Sequence, residues 1–139
     1  MPEECIFCRI VARQAPASIV AETENALAFM DINQPMNGHV LIVPKRHVEN
    51  IYGLDEQTAD AVFRMTVAVA KAVKTALRCD GVNLWQSNEP AAQQEVFHLH
   101  MHVIARYQGD RERIRIGWTP VLPSPAELDR LAGIIAAVM

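Results

Sequence analysis

His98-Leu99-His100-Met101-His102-Val103-Ile104 sets three of the chain's five histidines at alternate positions, with single apolar residues between them. Side chains on a strand alternate between faces, so His98, His100 and His102 share one face while Leu99, Met101 and Val103 occupy the other. The apolar face reads as core. The imidazole face is costly to bury without partners, and three neighbouring groups that titrate near neutral pH point to chemistry rather than packing. A solvated strand face or an adventitious metal site is the plain alternative.

Working outward, this strand is predicted to run from Val96 to Ala105. Upstream, Ile6, Phe7, Ile10 and Val11 have helical spacing within a short helix over Cys5 to Arg13. Strands are expected around Ser18–Glu22 and Ala26–Asp31, joined by the Thr23-Glu24-Asn25 turn. A loop over 33–38 leads into His39-Val40-Leu41-Ile42-Val43, a buried strand stopped by Pro44. A long helix capped by Asp55 places Ala59, Val62, Phe63, Thr66, Val69, Ala70, Val73 and Leu77 on its core face. Gly81 sits where a helix-terminating glycine belongs. A strand over Val82–Asn88 and a polar loop to Glu95 complete the middle of the chain. Ser124-Pro125-Ala126-Glu127 is a capping box that opens a last helix running to about Ala137. The pattern predicts an α+β fold with a mainly antiparallel five-stranded sheet.

At 139 residues the chain is expected to be one domain spanning 1–139. A net charge of −3 argues against a nucleic-acid partner, which needs a basic face. Small anionic ligands remain open, because imidazoles and backbone N–H groups hold phosphate whatever the overall charge. No apolar run reaches the roughly 18–20 residues of a membrane span, and the acidic start Met1-Pro2-Glu3-Glu4 lacks a signal-peptide layout. Three cysteines, two of them spaced Cys5-x-x-Cys8, do not make a disulfide framework, so the cytoplasm is the expected location.

Cys5, Cys8, His47 and His98 together have the ligand count and softness for tetrahedral zinc. The long gaps between them make a weak finger motif, and a redox CxxC competes, although no thioredoxin-like βαβ unit accompanies it. Alternate strand positions lie about 7 Å apart, so a zinc on His98 would not also bind His100. Cys79 reads as a small buried apolar residue.

The run Phe97 to Ile104 resembles the signature of the histidine triad (HIT) family. The similarity extends through Cys5-Ile6-Phe7-Cys8, Phe29-Met30-Asp31-Ile32, Gly38 to His47, and Asn88-Glu89, covering about residues 5–106; residues 107–139 form a C-terminal extension. The Hint branch, comprising nucleoside phosphoramidases and related nucleotide hydrolases, is the most similar. The resemblance implies the HIT fold and catalytic roles for His100, His102, His39 and His98. It implies a purine nucleotide (AMP or GMP) site at Ile6, Phe7, Ile10, Phe29, Asp31, Ile32, Asn88 and Gln94, with His100 and His102 on the phosphate. One structural zinc at Cys5, Cys8, His47 and His98 is implied, with no catalytic metal, and a homodimer as the assembly.

Residue chemistry agrees on the nucleophile. A neutral imidazole attacks phosphorus well near pH 7, and a phospho-imidazole intermediate splits one hard displacement into two easier ones. His100, with an imidazole on either side, is the natural choice, its other nitrogen held by a backbone carbonyl. His102 and His39 would stabilise developing charge on the phosphoryl oxygens and leaving group. Two other readings stand beside this one: hydrolysis of dinucleoside polyphosphates, as in the Fhit branch, and a non-catalytic, zinc-stabilised nucleotide-binding protein. Three positions depart from the family pattern. Gln93 replaces a usual glycine, Glu95 stands where animal Hint proteins have a serine, and Ala105-Arg106 replaces a frequent Pro-Arg.

Overall fold

The computed structural model describes residues 4–115 and 117–139. Its elements are α1 (Ile6–Val11), β1 (Ile19–Glu22), β2 (Ala26–Met30), β3 (His39–Pro44), α2 (Glu56–Leu77), β4 (Gly81–Trp85), β5 (Met101–Arg106) and α3 (Pro125–Ala136). The strands form one antiparallel sheet in the order β1-β2-β3-β5-β4. The fold is α+β and matches the HIT expectation. No helix among the described residues is long and apolar enough to cross a membrane.

Residue parity in the central strand assigns the two faces of the sheet. Every residue of β3 is buried. Val40 and Ile42 face α2, where they pack with Val62, Met65, Val69 and Val73 and with Val103 and Ala105 of β5. Leu41 and Val43 face the other way, into a smaller cluster with Leu27, Phe29, Phe7 and Ile10 beneath α1. Leu41 pairs with His102 across the ladder, so the imidazoles of β5 share the α1 side, opposite α2. The expected alternation therefore holds. One layer is a closed apolar core, and the other contains the functional groups.

Several boundaries differ from the sequence reading. The histidine segment forms regular ladder only from Met101; His98 and His100 lie in the stretch just before it, held by the Leu99 N–H donating to the Val48 carbonyl at 2.7 Å. Strand β4 ends at Trp85, not Asn88. Asp55 caps α2 as expected, its carboxylate accepting from the Thr58 amide at 2.7 Å. The core stripe of α2 is rotated, however: Thr58 and Met65 are buried, whereas Phe63 and Leu77 are exposed. Periodicity locates an apolar stripe but does not choose among its flanking residues. Gly81 does not end the helix; Arg78 does, in the left-handed conformation (φ 51°), and Gly81 opens β4.

Gly38 is the glycine the fold requires. It has φ +108°, and a Cβ there would fall 2.5 Å from Leu77 Cδ1 and 2.8 Å from Ala105 Cβ. Its neighbour Gln34 ties the turn shut, donating to the carbonyls of Asp31 and His39 and accepting from the Gly38 amide. This closure sets Asp31, at the exit of β2, beside His39 at the entry of β3.

Candidate active site and metal site

Two groups of histidines occupy the α1 side of the sheet. The first is closed. Cys5 caps α1, and one helical turn brings Cys8 alongside it. His47 follows the end of β3, and the Leu99–Val48 hydrogen bond carries His98 to it. Cys5 Sγ lies 3.4 Å from His98 Nδ1, Cys8 Sγ lies 3.3 Å from His47 Nδ1 and 3.5 Å from His98 Nδ1, and the two Nδ1 atoms are 3.2 Å apart. A tetrahedral zinc with ordinary bond lengths would set N···N edges at about 3.3 Å and S···N edges at about 3.6 Å. The His98 Nε2–H donates to the Pro44 carbonyl at 2.9 Å, which leaves the Nδ1 lone pair aimed into the cluster. These four residues could hold a metal ion, and both donor chemistry and spacing fit one. Burial pushes the Cys8 thiol up to about 11, with neighbouring Cys5 adding to the shift, and burial pushes His98 down to about 4.

The second group is open. His100 donates from Nδ1 to the His98 carbonyl at 2.7 Å, so its Nε2 carries the free lone pair. Phe7 packs edge-on against both His100 and His98, at ring-centroid distances of 5.2 and 5.9 Å. His39 Nε2 and His102 Nδ1 are 2.7 Å apart, and Asp31 Oδ2 lies 3.5 Å from His39 Nε2. Among the described residues, His39 Nδ1 is buried without a partner. A stranded N–H donor there is costlier than a stranded lone pair, so the proton belongs on Nε2, donated to His102 Nδ1. His102 then carries its own proton on Nε2. The donor atoms of Asp31, His39 and His102 also cluster closely enough to suit a metal. The 2.7 Å N···N contact is nevertheless hydrogen-bond spacing, shorter than a coordination edge. Burial lowers the pKa of all three histidines, that of His102 to about 4, where His100 and His39 add to the effect. Asp31 opposes the shift at each, and Glu95 also does so at His100.

Two cavities meet at His100 and His102. The larger, about 500 Å³, is lined by Ile6, Phe7, Ile10, Phe29, Asp31 and Ile32 as expected from the sequence. That volume lies within the usual range of small-molecule clefts. Ala15, Pro16, Ala17 and Met30 also line it, and nothing in their local sequence announces it. The smaller, about 250 Å³, has walls from His39, Trp85, Gln93, Ile104 and Ile114. Glu95 borders both.

Three predicted site residues lie off these walls. Gln94 is buried, accepting from the Glu89 amide and donating to the carbonyls of Glu49 and Val96. Asn88 accepts from the Ile51 amide and exchanges hydrogen bonds with Gln86. Both shape the loop. His98 is sealed between Pro44 and the cysteines, and its carbonyl orients His100. Gln93, at the usual glycine position, adopts φ 67°, a left-handed backbone that glycine takes without strain.

Comparison with known proteins agrees with this geometry. The HIT domain model matches residues 12–109. The chain belongs to the HIT family. It is 42% identical to Protein hit of Bacillus subtilis over 109 residues, covering 78% of this chain and 75% of the relative. It is 32% identical to a protein of Schizosaccharomyces pombe named adenosine 5′-monophosphoramidase, over 96% of each chain. Among solved HIT structures, one from Bacillus subtilis superposes with a TM-score of 0.94 at 35% identity, covering 99% of this chain and 98% of that one. A structure described as a Zn-bound histidine triad protein of Mycobacterium smegmatis superposes with a TM-score of 0.74 at 32% identity, covering 96% and 97%.

Proposed function

We propose that this HIT protein is a hydrolase or nucleotidyl transferase that cleaves purine nucleoside 5′-phosphoramidates, or related nucleoside monophosphate derivatives, through a nucleotidyl-His100 intermediate. The observation that carries the reading is the His100 tautomer: Nδ1 is held by the His98 carbonyl, leaving a nucleophilic Nε2 at the junction of two cavities. The larger cavity suits a nucleoside, with an apolar slot for the base and the Asp31 carboxylate for the ribose hydroxyls. Attack by Nε2 on the α-phosphorus breaks the P–N bond, and the amine departs with a proton. The His102 Nε2–H donates to a phosphoryl oxygen or to the departing nitrogen, and His39 fixes that proton's location. Water then attacks the phospho-imidazole, releasing the monophosphate and restoring His100. The naming of a fission-yeast relative as a phosphoramidase supports this substrate class.

Zinc is the proposed occupant of the Cys5–Cys8–His47–His98 cluster, one per chain and structural. It would tie α1 to the segment that positions His100, and no chemical step passes through it. A homodimer is proposed as the assembly. Strand β4 is a sheet edge with Leu84 and Trp85 exposed, and Phe63, Trp118 and the apolar residues of α3 are also bare. Sedimentation at twice the chain mass checks this.

The deciding experiment supplies purified protein with matched adenosine and guanosine phosphoramidates and with a diadenosine polyphosphate. The expected result is preferential release of amine and nucleoside monophosphate, with an acid-quenched nucleotidyl adduct on His100. An adduct mapping to another residue, or turnover of the polyphosphate alone, would sink the proposal.

A further inference from the structure

The ionisable walls around His100 carry one sign of charge. Asp31 lies in the larger cavity, and Glu95 borders both. Apart from imidazoles, whose protonation burial disfavours, no basic group lines either cavity among the described residues. Arg106, Arg111 and Arg115 line a separate cavity that shares only Ile114 with the smaller one. Arg106 is held by Asp110 and Asn83, and Arg115 pairs with Glu112. Glu95 is exposed, and no basic side chain pairs with it among the described residues.

A leaving group in the smaller cavity would meet this carboxylate beside the apolar surfaces of Trp85, Ile104 and Ile114. We infer that the smaller cavity is a leaving-group subsite for organic amines with an apolar body and a pendant cation, and that Glu95 is its specificity-determining residue. This rests on the phosphoramidase reading and goes beyond it. An ammonium there gains a carboxylate partner. A second phosphate, as in a dinucleoside polyphosphate, brings further negative charge to a site with two carboxylates and no arginine or lysine, where like charges repel.

The test compares kcat/KM for AMP amides whose amines share a hydrocarbon body but end in an ammonium, a hydroxyl or a carboxylate, alongside a diadenosine polyphosphate. Wild-type protein and the E95Q and E95S variants are assayed at low and high salt. Wild type should follow the order ammonium, hydroxyl, carboxylate, with steps of roughly five- to tenfold that shrink as salt rises. Either substitution should flatten that ladder and raise polyphosphate turnover relative to the neutral amide. Because Glu95 is exposed, both variants should fold, and AMP binding by each verifies this. Amide turnover with no charge order in wild type, or an order that survives in E95Q, overturns the subsite and leaves the phosphoramidase reading standing. Failure to turn over any amide overturns both.

Discussion

The two histidine groups are built from the same residue type, two positions apart on one segment, yet they suit opposite tasks. At His98 one nitrogen faces the Pro44 carbonyl and the other faces two sulfurs and His47, so every donor converges inward and no surface remains. At His100 one nitrogen is held by a carbonyl while the other borders two cavities. The second shell decides the job: a closed set of soft donors suits a structural metal, and an oriented imidazole beside empty volume suits catalysis.

The sharpest way to break that contrast is at the open site. His100→Asn should reduce turnover on the order of 10³-fold or more while AMP binding persists, because the nucleotide contacts lie on other residues. Near wild-type turnover by this variant, measured by amine release, would end the covalent mechanism. The closed site should respond the other way. Cys5→Ser with Cys8→Ser should remove about one zinc per chain, as read by metal analysis. A metal present at a hundredfold over its Kd adds about 2.7 kcal/mol, so the melting temperature should fall by roughly 10 °C while part of the activity survives. Equal melting temperatures for metal-free and metal-loaded wild type would remove the structural role.

Two smaller effects sharpen the comparison. Asp31→Ala should weaken AMP binding by about 1–3 kcal/mol in titration calorimetry, and deoxyribonucleotides should bind wild type more weakly than ribonucleotides. Equal affinities would take Asp31 off the ribose. The pH dependence follows from burial. His102 is lowered from 6.5 to about 4, so the folded protein keeps it neutral while an unfolded chain would protonate it. That contribution to stability is complete above 6.5 and lost as pH falls towards 4. Turnover should accordingly hold down to about pH 5, and an acid limb at the ordinary imidazole value would show that His102 is not held neutral.

Much of this was legible in the chain because it depends on local periodicity. The alternation around His100, the Asp55 and Ser124 caps and the Cys5-x-x-Cys8 turn follow from the geometry of one strand or one helix, and each is found in the structure. The HIT-like motifs linked these pieces across long gaps. Exposure of Phe63 and burial of Met65 were not legible, because the rotation of an apolar stripe is chosen by the sheet it meets. The positions of Gln94 and Asn88 behind the loop, and of Pro16, Trp85 and Ile114 on cavity walls, depend on how distant segments close on one another. Residue type and spacing determined which groups carry chemistry. Tertiary structure alone decided which nitrogen of each imidazole is free, because a tautomer is set by the neighbour that accepts its proton, and those neighbours are brought by the fold.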